Sequence, residues 1–311
     1  MSGKRYFLIL LFFCETAFSQ HLLFTGDVML SRNVATEIEI RQQQSPWKNI
    51  GDLFSSDSVL VGNFEGAVGS MKNCAGNFEK NNLCFATDSK NLKYLKEAHF
   101  GFLSLENNHA RDLGKNSIQQ TKLALQKLNI KPLTFNDSPT FFSVNGTIIG
   151  IVSYSEIPGK NDIALTYSMP VLAQKIRLAH QLANIVVVYV HWGHELLDWG
   201  SNDQRKKAKW LIKQGADIII GHHPHVIQKA ECISGKPVLF SLGNHIFDQK
   251  YPITKQGTVI DCVPGKNKFS CKAYITQTPL GSSFPVTYHE DKSNYTALNV
   301  CAPKTHKLFP G

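Results

Sequence analysis

No run of about 18 uncharged apolar residues occurs in the 311-residue chain, which excludes a membrane-spanning helix. Charge is sparse: 18% of residues are Asp, Glu, Lys or Arg against 42% apolar, which excludes a disordered chain and a coiled coil. With 22 Gly and 13 Pro the chain has too little of either for a collagen-like repeat. No Cys-x-x-Cys pair occurs, which argues against a zinc ribbon and a thioredoxin-like redox site. What remains is a globular chain large enough for one big domain or two modest ones.

At the N-terminus, Lys4 and Arg5 precede an apolar run from Tyr6 to Phe13, and Ala17-Phe18-Ser19 places small residues where a signal peptidase inspects the chain. Residues 1–19 therefore read as a secretory signal peptide cleaved before Gln20. The expected mature protein has no transmembrane segment and is exported, periplasmic or extracellular. The cysteines agree. Setting Cys14 aside leaves Cys74, Cys84, Cys232, Cys262, Cys271 and Cys301, an even set that reads as disulfides in an oxidising compartment. Short loop closures favour Cys74 with Cys84 and Cys262 with Cys271, leaving Cys232 for Cys301. The net charge of +9 suits an anionic polymer or a phosphorylated substrate. The positive residues are scattered and an exported protein does not meet the genome, so nucleic acid is not an expected partner.

Val/Ile/Leu-rich runs at 22–28, 58–64, 100–105, 148–154, 185–191, 217–220 and 238–242 read as buried strands. Helical spacing fills 117–128, 171–183 and 203–214, the last opening after the capping candidates Ser201 and Asn202 and stopping at Gly215. Strands alternating with helices predict a layered α/β fold. Beyond Gln249 the chain turns Pro/Gly/Cys-rich. Residues 250–311 are expected as short strands and loops packed on the same domain as 20–249.

Polar residues of the metal-binding kind stand at the ends of these runs, where open α/β sheets gather functional groups. Asp27 ends the first, Asn63 and Glu65 the second, and Asn107-Asn108-His109 the third, with Asp112 spaced to orient His109. His191 ends the fifth in HWGHE, which also holds His194. The sixth delivers His222-His223-Pro224-His225, and Asn244-His245 follow the last. Taken singly, each has an ordinary explanation: a strand-end Asp anchors loops, paired Asn residues make turns, and a lone His caps a core. Taken together they form a donor set of imidazole, carboxylate and amide groups that suits zinc, manganese or iron. The mixture matches two-metal hydrolases, in which a bridging hydroxide attacks phosphorus. Trp192 and Trp199 read as aromatic packing, with a polymer-stacking platform as the alternative.

The order GDVML, GNFEG, LENNHARD, HWGHE, GADIIIGHHPHVIQ and SLGNHIFDQ resembles the CapA-type capsule or poly-γ-glutamate biosynthesis proteins, within the calcineurin-like metallophosphoesterase superfamily. The resemblance spans residues 22–249, and GHHPHV and SLGN are its most specific parts. It implies an α/β protein with a four-layer α/β/β/α sandwich and a site at the strand ends. It implies metal ligands at Asp27, Glu65, Asn108, His191, His223 and His225, with His222 as the alternative to His223. It implies His109 as general acid beside Asp112, and one or two divalent transition metals, Zn, Mn or Fe. Asn63, His194, His222, Asn244 and His245 are expected to contact substrate. Two departures stand out. Asp27-Val28-Met29 replaces the superfamily's Asp-x-His, and GNFEG replaces Gly-Asp-x-x-Asp, so one metal position lacks a donor. His245 stands where capsule-type proteins usually carry Phe. The expected function is an exported phosphoesterase acting on a cell-envelope or capsular polymer, or its phosphorylated intermediate, through metal-bound hydroxide. The alternative is a non-catalytic accessory protein that binds an anionic polymer in capsule or poly-γ-glutamate assembly.

Overall fold

The computed structural model describes residues 20–74, 83–159, 167–265, 269–291 and 301. The signal-peptide reading of residues 1–19 lies outside them. The strands are β1 (His21–Val28), β2 (Ser58–Phe64), β3 (Ala67–Val68), β4 (Ala86–Thr87), β5 (Phe100–Ser104), β6 (Lys131–Leu133), β7 (Thr140–Val144), β8 (Thr147–Ser155) and β9 (Ile185–His191). There follow β10 (Ile218–His222), β11 (Ile227–Gln228), β12 (Glu231–Ile233), β13 (Lys236–Leu239), β14 (Ser241–Leu242), β15 (Asn244–Ile246), β16 (Gln256–Pro264), β17 (Phe269–Gln277) and β18 (Thr287–Glu290). The helices are α1 (Arg32–Ile40), α2 (Lys93–Glu97), α3 (Ser117–Gln126), α4 (Met169–Leu182) and α5 (Asn202–Gln214).

Two mixed sheets carry the fold. The first runs β18-β17-β16-β1-β2-β5-β6 with β15 parallel to β1, and the second runs β12-β13-β10-β9-β8-β7. They face each other across a core to which Phe24 and Val61 of the first sheet and Ile151, Val187 and Ile220 of the second contribute. Alternation along a strand sends Leu22 and Phe24 into this core and Leu23 to the opposite face. There Leu23, Leu60 and Leu103 meet Val34 and Ile38 of α1, Leu95 of α2 and Leu125 of α3. On the far side Val152, Val186 and Val188 meet Leu172 and Ile176 of α4 and Leu211 of α5. Strand β9 (IVVVYVH) is buried at all seven positions because β8 and β10 flank it and both its faces are covered.

Local chemistry sets the boundaries of α5. The Ser201 side chain accepts from the Gln204 backbone N–H, the Gln204 side chain accepts from the Ser201 N–H, and Gly215 ends the helix at φ 119°. Helix α1 carries only two buried residues, Val34 and Ile38, and α2 is five residues long. Neither leaves a strong periodic signal in the sequence. The C-terminal part differs from the short strands expected: β16 and β17 are nine residues each and form a hairpin, and β16 lies antiparallel to β1. The burial of Phe269, Cys271, Ala273 and Ile275, alternating with exposed Ser270 and Lys272, is the half-buried strand pattern. The disulfides Cys74–Cys84, Cys232–Cys301 and Cys262–Cys271 are all formed. Among the described residues no helix is long and apolar enough to cross a membrane.

Candidate metal centre

Strand register gathers the motif residues. In the first sheet Asp27 on β1 is paired with Asn63 on β2 and Asn244 on β15. In the second, His191 at the end of β9 stands beside His222 at the end of β10. The approach of β1 to the SLGN segment requires glycine. A Cβ on Gly26 would lie 2.1 Å from the Gly243 carbonyl oxygen, which accepts from the Asp27 N–H at 2.9 Å. The two motifs are thus contacts of one another.

The polar groups then interlock. Asn63 Nδ2 donates to Asp27 Oδ1 (2.9 Å) and Glu65 Oε2 (3.3 Å), and Asn63 Oδ1 accepts from Asn107 Nδ2 (3.1 Å). His191 Nε2 lies 2.9 Å from Asn108 Oδ1, and its Nδ1 lies 3.5 Å from Asn63 Nδ2. His222 Nδ1 lies 2.8 Å from Asp27 Oδ1. His225 stands between the two acids, with Nδ1 3.3 Å from Asp27 Oδ2 and Nε2 3.5 Å from Glu65 Oε1. Asn244 Oδ1 lies 2.9 Å from the same His225 Nδ1. His109 Nδ1 is 2.8 Å from Asp112 Oδ2, which leaves His109 Nε2 facing Glu65 Oε1 at 4.0 Å.

Burial and mutual charge drive these groups apart in pKa. Burial pushes Asp27 up, but hydrogen bonds and charge from His222 and His225 outweigh it and hold the carboxyl well below the usual aspartate value. Burial raises Glu65 well above the usual value, with His225 opposing and Asp27 adding to the rise. Burial lowers His191 well below the ordinary imidazole value, and together with His225 it takes His223 to about 3. Burial opposes protonation of His225 as well, but the charge of Glu65 and the bond to Asp27 push it up to about 9. Burial also lowers His109, against the pull of Asp112. A cation entering this cluster would take the place of the proton on His225, so binding and proton release are linked.

The His-Pro-His turn is strained. His223 and His225, either side of Pro224, have φ 96° and 59°, a backbone state that is costly outside glycine and gathers at functional sites. The Pro224 carbonyl accepts from the Leu196 N–H at 2.9 Å, which ties the HWGHE loop to this turn. Glu195, His223 and His225 consequently offer ligand atoms within 4.8 Å of one another, and so do Asp27, Glu65 and His225. Glu65 Oε1, His222 Nε2 and His223 Nδ1 are buried without a hydrogen-bond partner. Each such orphan costs roughly 1–3 kcal/mol unless something completes it. Carboxylate and imidazole donors in this arrangement fit a divalent transition metal.

The structure brings Asp27, Glu65, Asn108, His191, His223 and His225 to one place, with His109 and Asp112 beside Glu65. Of the five residues expected to contact substrate, only His194 is exposed. Asn63, His222 and Asn244 are buried, and their side chains are bonded to Asp27, Glu65 or His225. His245 is turned away altogether. Its neighbour Asn244 faces His225, and His245 enters the core outside the first sheet, where Trp47 Nε1–H donates to its Nε2 at 2.8 Å and Phe54 meets it edge-on at 5.8 Å. Trp192 is buried and donates to the Phe240 carbonyl at 2.8 Å, which leaves it no stacking surface, whereas Trp199 is exposed. Sequence reasoning missed Glu195. Its signal was a carboxylate four residues after His191 in the same loop.

Residues 21–249 match the family model of the bacterial capsule synthesis protein PGA_cap. The chain belongs to this family. Every residue of the cluster described above falls inside the matched segment. Similar proteins include the PGA biosynthesis protein CapA of Bacillus subtilis (strain 168), 31% identical over 258 residues that cover 78% of this chain and 67% of that protein. The capsule biosynthesis protein CapA of Bacillus anthracis is 29% identical over 295 residues, covering 86% of this chain and 70% of that one. Among solved structures, a hypothetical protein from Thermus thermophilus is similar at 14% identity and a TM-score of 0.48, covering 92% of this chain and all of that one. This PGA_cap protein is thus a relative of capsule-biosynthesis proteins, with an α/β fold of two facing sheets.

Proposed function

We propose that this PGA_cap protein is an exported metal-dependent hydrolase that cleaves a phosphoester in a capsular or cell-envelope polymer, or in a phosphorylated intermediate of one. The observation that carries the reading is the pair of donor trios sharing His225, together with two buried atoms of those trios, Glu65 Oε1 and His223 Nδ1, that no protein group satisfies. A Zn, Mn or Fe ion bound here would supply Lewis acidity and would activate water as the nucleophile. Asp27, Glu65, Asn108, His191, His223 and His225 would hold it, with Glu195 as a further donor. The remaining residues orient. Asn63 and His222 lock the Asp27 carboxylate, and Asn244 fixes His225. Asp112 engages His109 Nδ1 and leaves Nε2 free to donate a proton to the departing alkoxide. The net charge of +9 supports an anionic substrate, and three disulfides support an oxidising, extracytoplasmic setting.

Met29 favours a second reading. It occupies the place of the superfamily histidine, and its sulfur accepts from the Ser31 N–H (3.3 Å) and hydroxyl (2.9 Å), so it lends nothing to the cluster. A depleted ligand set suits an accessory protein that binds anionic polymer without turnover. The deciding experiment measures metal content by elemental mass spectrometry, and turnover on a phosphoester panel, for wild type and a His223→Ala/His225→Ala variant. Metal and hydrolysis lost together support the enzyme. A fully loaded wild type that retains polyanion but hydrolyses no ester sinks it in favour of the accessory protein.

A further inference from the structure

The segment Cys84–Thr87 supplies no metal donor, yet it sits directly on His109. The Phe85 ring stacks on the His109 imidazole with centroids 3.6 Å apart and planes 11° from parallel. The Phe85 backbone N–H donates to Asp112 Oδ2 at 2.8 Å, and that oxygen also lies 2.8 Å from His109 Nδ1. One residue thus fixes the plane of the imidazole and the carboxylate that aims it.

Three attachments hold Phe85 in place. Its carbonyl accepts from the Ala67 N–H at 2.9 Å as β4 pairs with β3. Gly66, beside Glu65, has φ 147°, and a Cβ there would lie 2.6 Å from that same carbonyl oxygen. Glycine at 66 is what lets the Cys84–Thr87 strap approach. Next to Phe85, buried Cys84 is bonded to Cys74. The Phe85 ring is also covered: the Arg32 guanidinium, paired with Asp248, lies 4.6 Å from its centroid. Phe247 meets it edge-on at 5.8 Å and packs against the His225 ring at 4.7 Å.

We propose that Phe85 is a positioning residue for His109, and that the Cys74–Cys84 disulfide keeps Phe85 seated, so that proton donation depends on that bond. The proposal rests on the reading of His109 as proton donor given above. Proton transfer needs aim, and a displacement of about 1 Å at a reacting group can cost on the order of a hundredfold in rate. A flat ring supplies a plane that an aliphatic side chain of similar size does not. A disulfide removes alternative courses of the strap from the accessible ensemble.

The test uses the metal-loaded full chain in four forms: wild type, Phe85→Leu, Phe85→Tyr and Cys74→Ser/Cys84→Ser. One readout needs no activity: the rate at which diethyl pyrocarbonate modifies His109, followed by peptide mass spectrometry. The other is the ratio of turnover on alkyl phosphoesters, which need a proton donor, to turnover on nitrophenyl esters, which do not. Phe85→Leu and the double cysteine variant should label His109 several-fold faster at wild-type metal content. They should slow alkyl esters at least tenfold more than nitrophenyl esters, and Phe85→Tyr should restore both readouts. If the serine pair does not fold, Cys74→Ala/Cys84→Val fills the buried position and takes its place. Unchanged His109 labelling in Phe85→Leu overturns the positioning role, and unchanged labelling in the cysteine variant overturns the disulfide's part. Equal slowing of both ester classes also counts against the proposal, since it indicates general damage. If wild type turns over no ester, the phosphoesterase reading fails, and His109 labelling alone decides the positioning.

Discussion

His222 and Asp27 are joined across the two sheets, imidazole Nδ1 to carboxylate Oδ1 at 2.8 Å. Asn63 reaches the same oxygen at 2.9 Å, so Oδ1 is taken up by bracing groups while Oδ2 faces His225 at 3.3 Å. His222→Phe removes the brace and keeps every donor of the proposed ligand set. Metal affinity should fall about 10–100-fold, the usual effect of losing an orienting partner. Competition against a chromophoric chelator measures it, and an unchanged affinity would show that Asn63 alone holds Asp27.

Glu195 is the exposed member of its trio, and its backbone is tied to the His-Pro-His turn only through the next residue. Glu195→Gln keeps the shape and removes the charge. Metal content should drop, or one class of ion should bind at least tenfold more weakly, while Asp27, Glu65 and His225 retain the other. Full loading at wild-type affinity would remove Glu195 from the donor set.

His109→Ala should slow esters of poor leaving groups about 10²–10⁴-fold, the ordinary contribution of a positioned proton donor, with metal content unchanged. Steady-state rates beside elemental analysis check both halves. Loss of metal together with rate would move His109 among the ligands.

Acid should destabilise the metal-free protein. Burial holds His245 down to about 3 from an ordinary 6.5, so the unfolded chain takes up this proton near 6.5 and the folded chain only near 3. Between those values falling pH favours unfolding, by about 1.4 kcal/mol per unit for one such group. His223, also at about 3, acts with the same sign. His225, raised to about 9, acts oppositely: its stabilisation is full below 6.5 and is lost as pH rises through 9. Urea unfolding at pH 4–6.5 should lose about one proton of slope in His245→Phe. An identical slope would mean that His245 is protonated, or reached by water, in the folded protein.

The strands that position the site were legible because burial on both faces leaves continuous runs such as IVVVYVH. Helix α5 was legible because its cap chemistry is local to Ser201, Gln204 and Gly215. Most of the donor set could be read because metal-binding residue types crowd the strand ends. Glu195 offered only its closeness to His191 in sequence, since its reach depends on a backbone bond between Leu196 and Pro224 of another loop. Phe85 could not be read: a lone apolar residue beside a cysteine gives no periodic signal, and its importance lies in what it covers. His245 carries a more useful lesson. Adjacent residues of a strand point to opposite faces, so Asn244 and His245 could not both turn to the cluster. At β16 and β17, the Pro, Gly and Cys residues of the hairpin drew attention from an alternation that was present in the sequence.

Strand β1 takes its neighbours from far apart in the chain: Leu22 pairs with Val59 on one side and with Cys262 on the other. Ribosomal synthesis delivers those partners in sequence, so β1 keeps one edge open at Leu22–Thr25 until β16 arrives. A chain halted at Gln249 would already contain every residue of the cluster, yet it would leave the Leu22–Thr25 edge of β1 open to a strand of another molecule. Contacts this distant in sequence are slow to close, because the loop entropy must be lost before pairing rewards it. Asp27 sits on that strand. Its own partners, Asn63 on β2 and Asn244 on β15, both precede Gln249, so the site end of β1 is paired by a part of the chain made before the strand that closes its other end.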